Sequence, residues 1–251
     1  MRRAAVMVGV LALGALAAPG QAQTLTERAR TIGAGTIRFS FAAREGVCGR
    51  EDGNIYVTRN NDEWEGACDA GPVRIAASVT DGQVARIRAY VGGRWKTGTG
   101  RVEDLGLVGV RAATGWLEGL AMSSASVKGD AVFPITLADS IVRADPLLRL
   151  AKATSAPSGT RQAALFWLGQ VAGAAATAHL EEVAMSEDDR KLRDQAVFSL
   201  SQLPQNGGVP ALLRLARTND DPRVRKSAFF WLGQSKDPRA LALFEEVLSR
   251  P

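Results

Sequence analysis

Histidine is nearly absent from this chain: His179 is the only one in 251 residues, beside two cysteines and two tyrosines. That shortage removes multi-histidine metal centres and the His-Glu-x-x-His pair of metalloproteases. His179 falls early in a helical segment, next to the apolar Leu180, which is the setting of a surface or half-buried side chain. Without another histidine no Ser-His-Asp set can be assembled. Two cysteines do not complete a zinc site, and a cysteine nucleophile would have no histidine at hand. Neither a phosphate-binding loop nor a Gly-x-Gly-x-x-Gly turn stands in the context such sites need. The acidic pairs Asp188-Asp189 and Asp220-Asp221 recur at equivalent places, but a calcium ion asks for six or more oxygens, and helix capping accounts for them better. No catalytic, cofactor-binding or metal-binding residue is therefore assigned, and no cofactor is called for.

Blocks of one charge are also missing. Setting aside Arg2 and Arg3, 29 basic residues face 26 acidic ones, a net charge of +3. The cations are not interleaved with aromatics, so nucleic acid is not expected as a partner. One apolar run exists, Ala4 to Ala18, behind Arg2-Arg3 and ahead of Pro19-Gly20-Gln21-Ala22. It is short for a membrane span, which needs roughly 20 residues. Small residues at Gly20 and Ala22 predict a secretory leader, residues 1–22, cut after Ala22. The competing reading is a retained membrane anchor; no later stretch predicts a span. An exported chain with Cys48 and Cys68 as its two cysteines predicts a disulfide between them. The expected location is a bacterial periplasm or the extracellular space.

Two halves with different periods follow. From Gly35 to Arg101 apolar residues alternate, as in Ile37-Phe39-Phe41, Val73-Ile75-Ala77-Val79 and Ala85-Ile87-Ala89-Val91, the last with Arg86, Arg88 and Tyr90 opposite. Asp81-Gly82 between the last two runs predicts a tight hairpin. Asn54 to Arg59 and Arg94-Trp95-Lys96 suggest further strands. Residues 23–103 are thus expected to form a small antiparallel β domain pinned by Cys48–Cys68. From about Asp104 the period turns helical, with a connecting helix in 104–126 over Val110 to Met122.

Residues 127–251 repeat. Phe166-Trp167-Leu168-Gly169-Gln170 returns as Phe230-Trp231-Leu232-Gly233-Gln234, with Phe198-Ser199-Leu200-Ser201-Gln202 halfway between. Steps of 33, 32 and 32 align Val127, Thr160, Leu192 and Val224; Ala131, Ala164, Ala196 and Ala228; and Ile135, Leu168, Leu200 and Leu232. Spacing of i, i+4 and i+8 puts these columns on one helix face. Phe133, Phe166, Phe198 and Phe230 form an aromatic column, and Leu150, Val183, Leu215 and Val247 the core column of each second helix. Trp167 and Trp231 follow the buried alanine by three residues, so core packing is the expectation.

Two charged columns accompany the core. Arg149, Glu182, Arg214 and Glu246 alternate in sign, which predicts salt bridging between units or a lined binding face. Lys128, Arg161, Arg193 and Arg225 open the first helices, with Asp189 and Asp221 four residues ahead of the last two. An inter-repeat Asp–Arg ladder is the structural reading and an anion-binding stripe the functional one. These eight residues are the candidate interaction surface.

Asp221-Pro222-Arg223-Val224-Arg225, then Ala228, Leu232-Gly233 and Asp237-Pro238-Arg239-Ala240, resemble HEAT-type repeats. The short period is similar to the HEAT-like units of phycobilin lyases. The resemblance covers residues 127–251 and implies helix pairs stacked into a superhelix whose exposed faces bind proteins; no bilin-handling motif accompanies it. The expected fold class is α+β, predominantly α, with a small antiparallel β domain followed by an α-α superhelix. The expected function is an exported, non-enzymatic scaffold with a protein partner. Two alternatives stay open: an envelope enzyme using carboxylates among Glu51, Asp52, Asp62, Glu63 and Glu65, and a β domain that takes a ligand or peptide along a sheet edge.

Overall fold

The computed structural model describes residues 21–50, 53–57, 68–97, 100–124 and 126–249. The apolar N-terminal run and all five acidic residues of the enzyme alternative lie outside the described residues.

The first described element is a helix, α1 (Gln21–Ile32), where residues from 23 onward were expected to begin a purely β domain. Leu25, Ala29 and Ile32, spaced i, i+4 and i+7, are all buried. A mixed four-stranded sheet follows, in the order β5-β4-β1-β6. Strand β1 (Gly35–Phe41) pairs antiparallel with β4 (Val73–Thr80), and β4 with β5 (Gln83–Val91). The other edge, β6 (Val102–Leu107), runs parallel to β1, whereas the helical period was expected to begin there. Ile37, Phe39, Phe41, Val73, Ile75, Ala77 and Val79 fill the inner face. Asp81 and Gly82 take φ of 51° and 71°, the left-handed pair that a two-residue turn between twisted strands requires. A register shift near this turn alters the third alternation. Val84 pairs with Val79 and is buried, Ala85 becomes the extra, exposed residue, and Ile87 resumes the inward series. Residues 94–97 form no strand.

Strands β2 (Val47–Gly49) and β3 (Ile55–Val57) make a separate ribbon. Cys48 in β2 is joined to Cys68, with Cα atoms 5.5 Å apart. Gly49 lies so close to β5 that a Cβ there would sit 2.1 Å from the Val91 carbonyl oxygen. The disulfide closes a 20-residue separation and should stabilise by roughly 3 kcal/mol. Cys68→Ser should therefore lower the denaturant midpoint, and dithiothreitol should do the same to the parent protein but leave the variant unchanged.

Helix α2 (Val110–Ser123) joins the halves. Trp116 meets Phe39 edge-on at 5.4 Å, and α2 packs on α1 at one side and on the first repeat at the other. Four helix pairs then stack. The first is a short turn (Lys128–Ala131) with α3 (Val132–Thr136), then α4 (Ser140–Lys152); Pro134, which cannot donate to a helix ladder, stands in α3. The others are α5 (Ser158–Ala172) with α6 (Ala174–Ser186), α7 (Arg190–Ser201) with α8 (Val209–Thr218), and α9 (Pro222–Gln234) with α10 (Pro238–Leu248). All twelve residues of the three aligned columns in the first helices are buried. Thr160, the polar member, donates its hydroxyl to the Ala121 carbonyl at 2.9 Å. Among the described residues no helix is long and apolar enough to cross a membrane.

Candidate interaction surface of the repeat stack

Three kinds of side chain connect one repeat to the next. The first are aromatic. Trp167 reaches back to Phe133 of the preceding unit, 5.0 Å between ring centroids, and Trp231 reaches back to Phe198 at 5.1 Å. Phe166 and Phe198 are stacked at 6.1 Å, and Trp167 and Trp231 each meet their own neighbouring Phe at 4.8 and 4.9 Å. The result is one continuous ladder from Phe133 to Phe230. Its members are half-buried except Phe230, so the tryptophans line the seam between units rather than the centre of the core. The third unit carries Ser199 at the tryptophan position because α5 and α7 approach closely there. Ser199 is buried, and a Cβ on Gly169 would lie 3.2 Å from its Cβ.

The second kind is ionic and structural. Arg161 is mostly buried; its Nε donates to the Ala151 carbonyl at 3.1 Å and its guanidinium grips Glu187 at 2.5 Å. Arg193 donates to the Glu187 carbonyl and to Asp221, both at 3.0 Å. Arg225 donates to the carbonyls of Asn219 and Asp220 at 2.7 and 3.0 Å. Arg193 and Arg225 thus tie down the loops before their own helices and Arg161 the last turn of α4, and Arg161 and Arg193 also hold the segment that opens the next unit. Asp221 serves twice, accepting from the Arg223 amide as an N-cap and from Arg193 with its other oxygen. Asp189 does the same with the Lys191 amide and the Ser158 hydroxyl. Among the described residues one rung of the expected ladder is an Asp–Arg pair, Arg193 with Asp221, while Arg161 takes Glu187, Arg225 takes backbone carbonyls and Asp189 takes Ser158; of Lys128 only the backbone is described.

The third kind is exposed charge, and here the expected register is corrected. Arg149 clasps Glu118 and Arg214 clasps Glu181, each with two bonds of 2.7 and 2.6 Å respectively. Glu246 meets Arg217 at 3.0 Å. Glu182 turns instead to His179 Nδ1 at 3.3 Å. The contacts thus fall off the aligned column: Arg214 takes Glu181, one position before Glu182, and Glu246 meets Arg217, three positions after Arg214, because side-chain direction as well as spacing selects the partner. Burial holds the His179 imidazole below its usual range, against the opposing pull of Glu182.

At the far end of the stack the columns change character. Leu150, Val183 and Leu215 are buried, but Val247 is 44% exposed. Ala151, Ala184 and Ala216 are buried, but their counterpart Leu248 is 84% exposed. Phe230 is 57% exposed where the earlier members of its column are covered by the following unit. The sequence columns list these residues as equivalent, so the difference becomes visible only once the stack is built.

Residues 177–251 match the HEAT repeats family. No curated protein sequence matches the chain. Among solved structures, the complex of CpcE and CpcF of phycocyanin lyase from Nostoc sp. PCC7120 is similar at 17% identity, over 55% of this chain and 91% of that one, with a TM-score of 0.41. The recurring Asp-Pro-Arg caps, the buried alanine and leucine columns and the matched segment agree: the helical half of this protein is a HEAT-like repeat array.

Proposed function

We propose that the protein works by binding rather than catalysis, docking another protein on the apolar residues that its helix pair α9–α10 leaves exposed. One observation carries this reading: Val247 and Leu248 are exposed at positions that the inner repeats bury, and Phe230 at a position where they are half-buried. Exposed apolar side chains on a repeat array are a place where a further helical layer fits. The partner chemistry is accordingly an apolar helix face that continues the stack. The leader predicted for residues 1–22 and the Cys48–Cys68 bridge support an exported protein of a bacterial envelope.

The test compares the parent chain with a Phe230→Ser, Val247→Ser, Leu248→Ser variant as baits in envelope extract. Exposed substitutions of this kind should each change stability by no more than about 0.5 kcal/mol. Proteins that the parent retains should be lost, with affinity at least about tenfold weaker in the variant. Equal retention by both baits overturns the reading. So does a concentration-dependent dimer of the parent that the variant lacks, because the surface would then belong to a second copy.

A further inference from the structure

The face of the sheet turned away from the helices is basic and aromatic, and the docking proposal does not use it. Arg74 and Ala76 of β4 and Tyr90 of β5 form the floor of a groove of about 540 Å³. The β2–β3 ribbon brings Arg50 and Asn54 to it, and the segment after β5 brings Arg94, Trp95 and Lys96.

Two of the arginines here are already committed. Arg74 donates to the carbonyls of Gly92 and Gly93 at 2.8 and 2.9 Å and to the Ser40 hydroxyl at 3.3 Å. Arg38 is paired with Asp104 at 2.8 Å. Both guanidinium groups lie over the Trp95 ring, 5.9 and 5.2 Å from its centroid, and Tyr90 meets that ring edge-on at 6.1 Å. The indole is thereby held in a fixed orientation while staying partly exposed.

Arg94 and Lys96 are different, as is the charge of Arg50, whose guanidinium lies over the Tyr56 ring, 5.5 Å from its centroid. None of them has a carboxylate partner among the described residues. All three are exposed, and no described carboxylate lines the groove; Asp69, close to Gly92, accepts the Gly93 amide instead. Three cations without a carboxylate partner among the described residues, set around one concavity, raise its potential and favour an anion, and more than one negative charge is needed to meet them. A fixed indole beside a phenol supplies a flat apolar contact.

We infer that this groove binds a flat organic anion bearing at least two negative charges. Its phosphate or carboxylate groups meet Arg50, Arg94 and Lys96, and its planar part lies against Trp95 and Tyr90. The inference is independent of the exposed apolar residues of α9 and α10.

Calorimetric titration of the full chain with adenosine diphosphate, inorganic pyrophosphate and adenosine separates charge from ring. Adenosine diphosphate should bind saturably and about tenfold more tightly than pyrophosphate, and adenosine should give no saturable heat. Arg94→Gln with Lys96→Gln should weaken adenosine diphosphate at least about tenfold, and Trp95→Leu should reduce it to the level of pyrophosphate, with melting temperatures unchanged. Absence of saturable binding by both anions overturns the inference, as does equal affinity for the two. Undiminished binding in the double variant also overturns it, because the anion would then sit elsewhere.

Discussion

Arg161→Met should destabilise the protein by about 3 kcal/mol, the lower end of what removing one partner of a buried ion pair costs. The side chains of Arg161 and Glu187 are only 11% and 18% exposed, and the variant strands both the Glu187 carboxylate and the Ala151 carbonyl. Arg161→Met combined with Glu187→Met should recover most of the loss, since apolar side chains of similar volume leave no charge unpaired. The acid limb gives a second signature. The Arg161 hydrogen bond holds the Glu187 carboxyl below its usual range, so its folded pKa lies under the unfolded value of about 4.3. That contribution is complete above the unfolded pKa and is lost as pH falls through the folded one. Asp189, bonded by Ser158, shifts the same way, and Arg239 holds Asp237 at about 2. The parent should therefore lose stability steadily below about pH 4.3, and Arg161→Met should show a shallower loss over that range. Denaturant midpoints measured at pH 7, 4 and 3 for the three proteins check both effects; equal slopes for parent and single variant would refute the coupling.

Phe39→Ala should cost about 3–5 kcal/mol, the largest effect expected from any single truncation in the β half. Phe39 is fully buried in β1 and packs edge-on against Trp116 of α2. The vacated space lies at the joint between sheet and connecting helix, where neighbours on both sides are held by backbone ladders and cannot collapse inward. Thermal and denaturant unfolding would read the loss, and the near-ultraviolet signal of Trp116 should change with it. A cost under about 1 kcal/mol would mean that the sheet and α2 repack without Phe39.

The parts of this fold that the sequence makes legible are those governed by strict periods. The alanine and leucine columns, the inward series of β1 and β4 and the Asp81-Gly82 turn appear in the structure at the residues expected. Elements lacking such a signal escaped. Strand β6 has no fully buried side chain and is held by backbone pairing to β1, so Leu105-Gly106-Leu107 shows no alternation to detect. Helix α1 follows directly on the apolar leader-like run, which masks the spacing of Leu25, Ala29 and Ile32. The extra residue at Ala85 has no marker in Val84-Ala85-Arg86. The ionic partners show the same limit, because alignment locates Arg149 and Arg214 but side-chain direction selects Glu118 and Glu181. The basic groove was hidden for another reason: Arg50, Arg74 and Trp95 come from three separate segments and meet only in the folded sheet.

The central claim is that a partner sits on the exposed apolar residues of α9 and α10, and photo-crosslinking in living cells tests it most directly. A benzophenone side chain introduced at Leu248 should yield a discrete crosslink to one other protein, and the same group at Asp81, on the hairpin tip, should yield none. Crosslinking from position 81 but not from 248, or only a crosslinked dimer of the chain itself, would contradict the account.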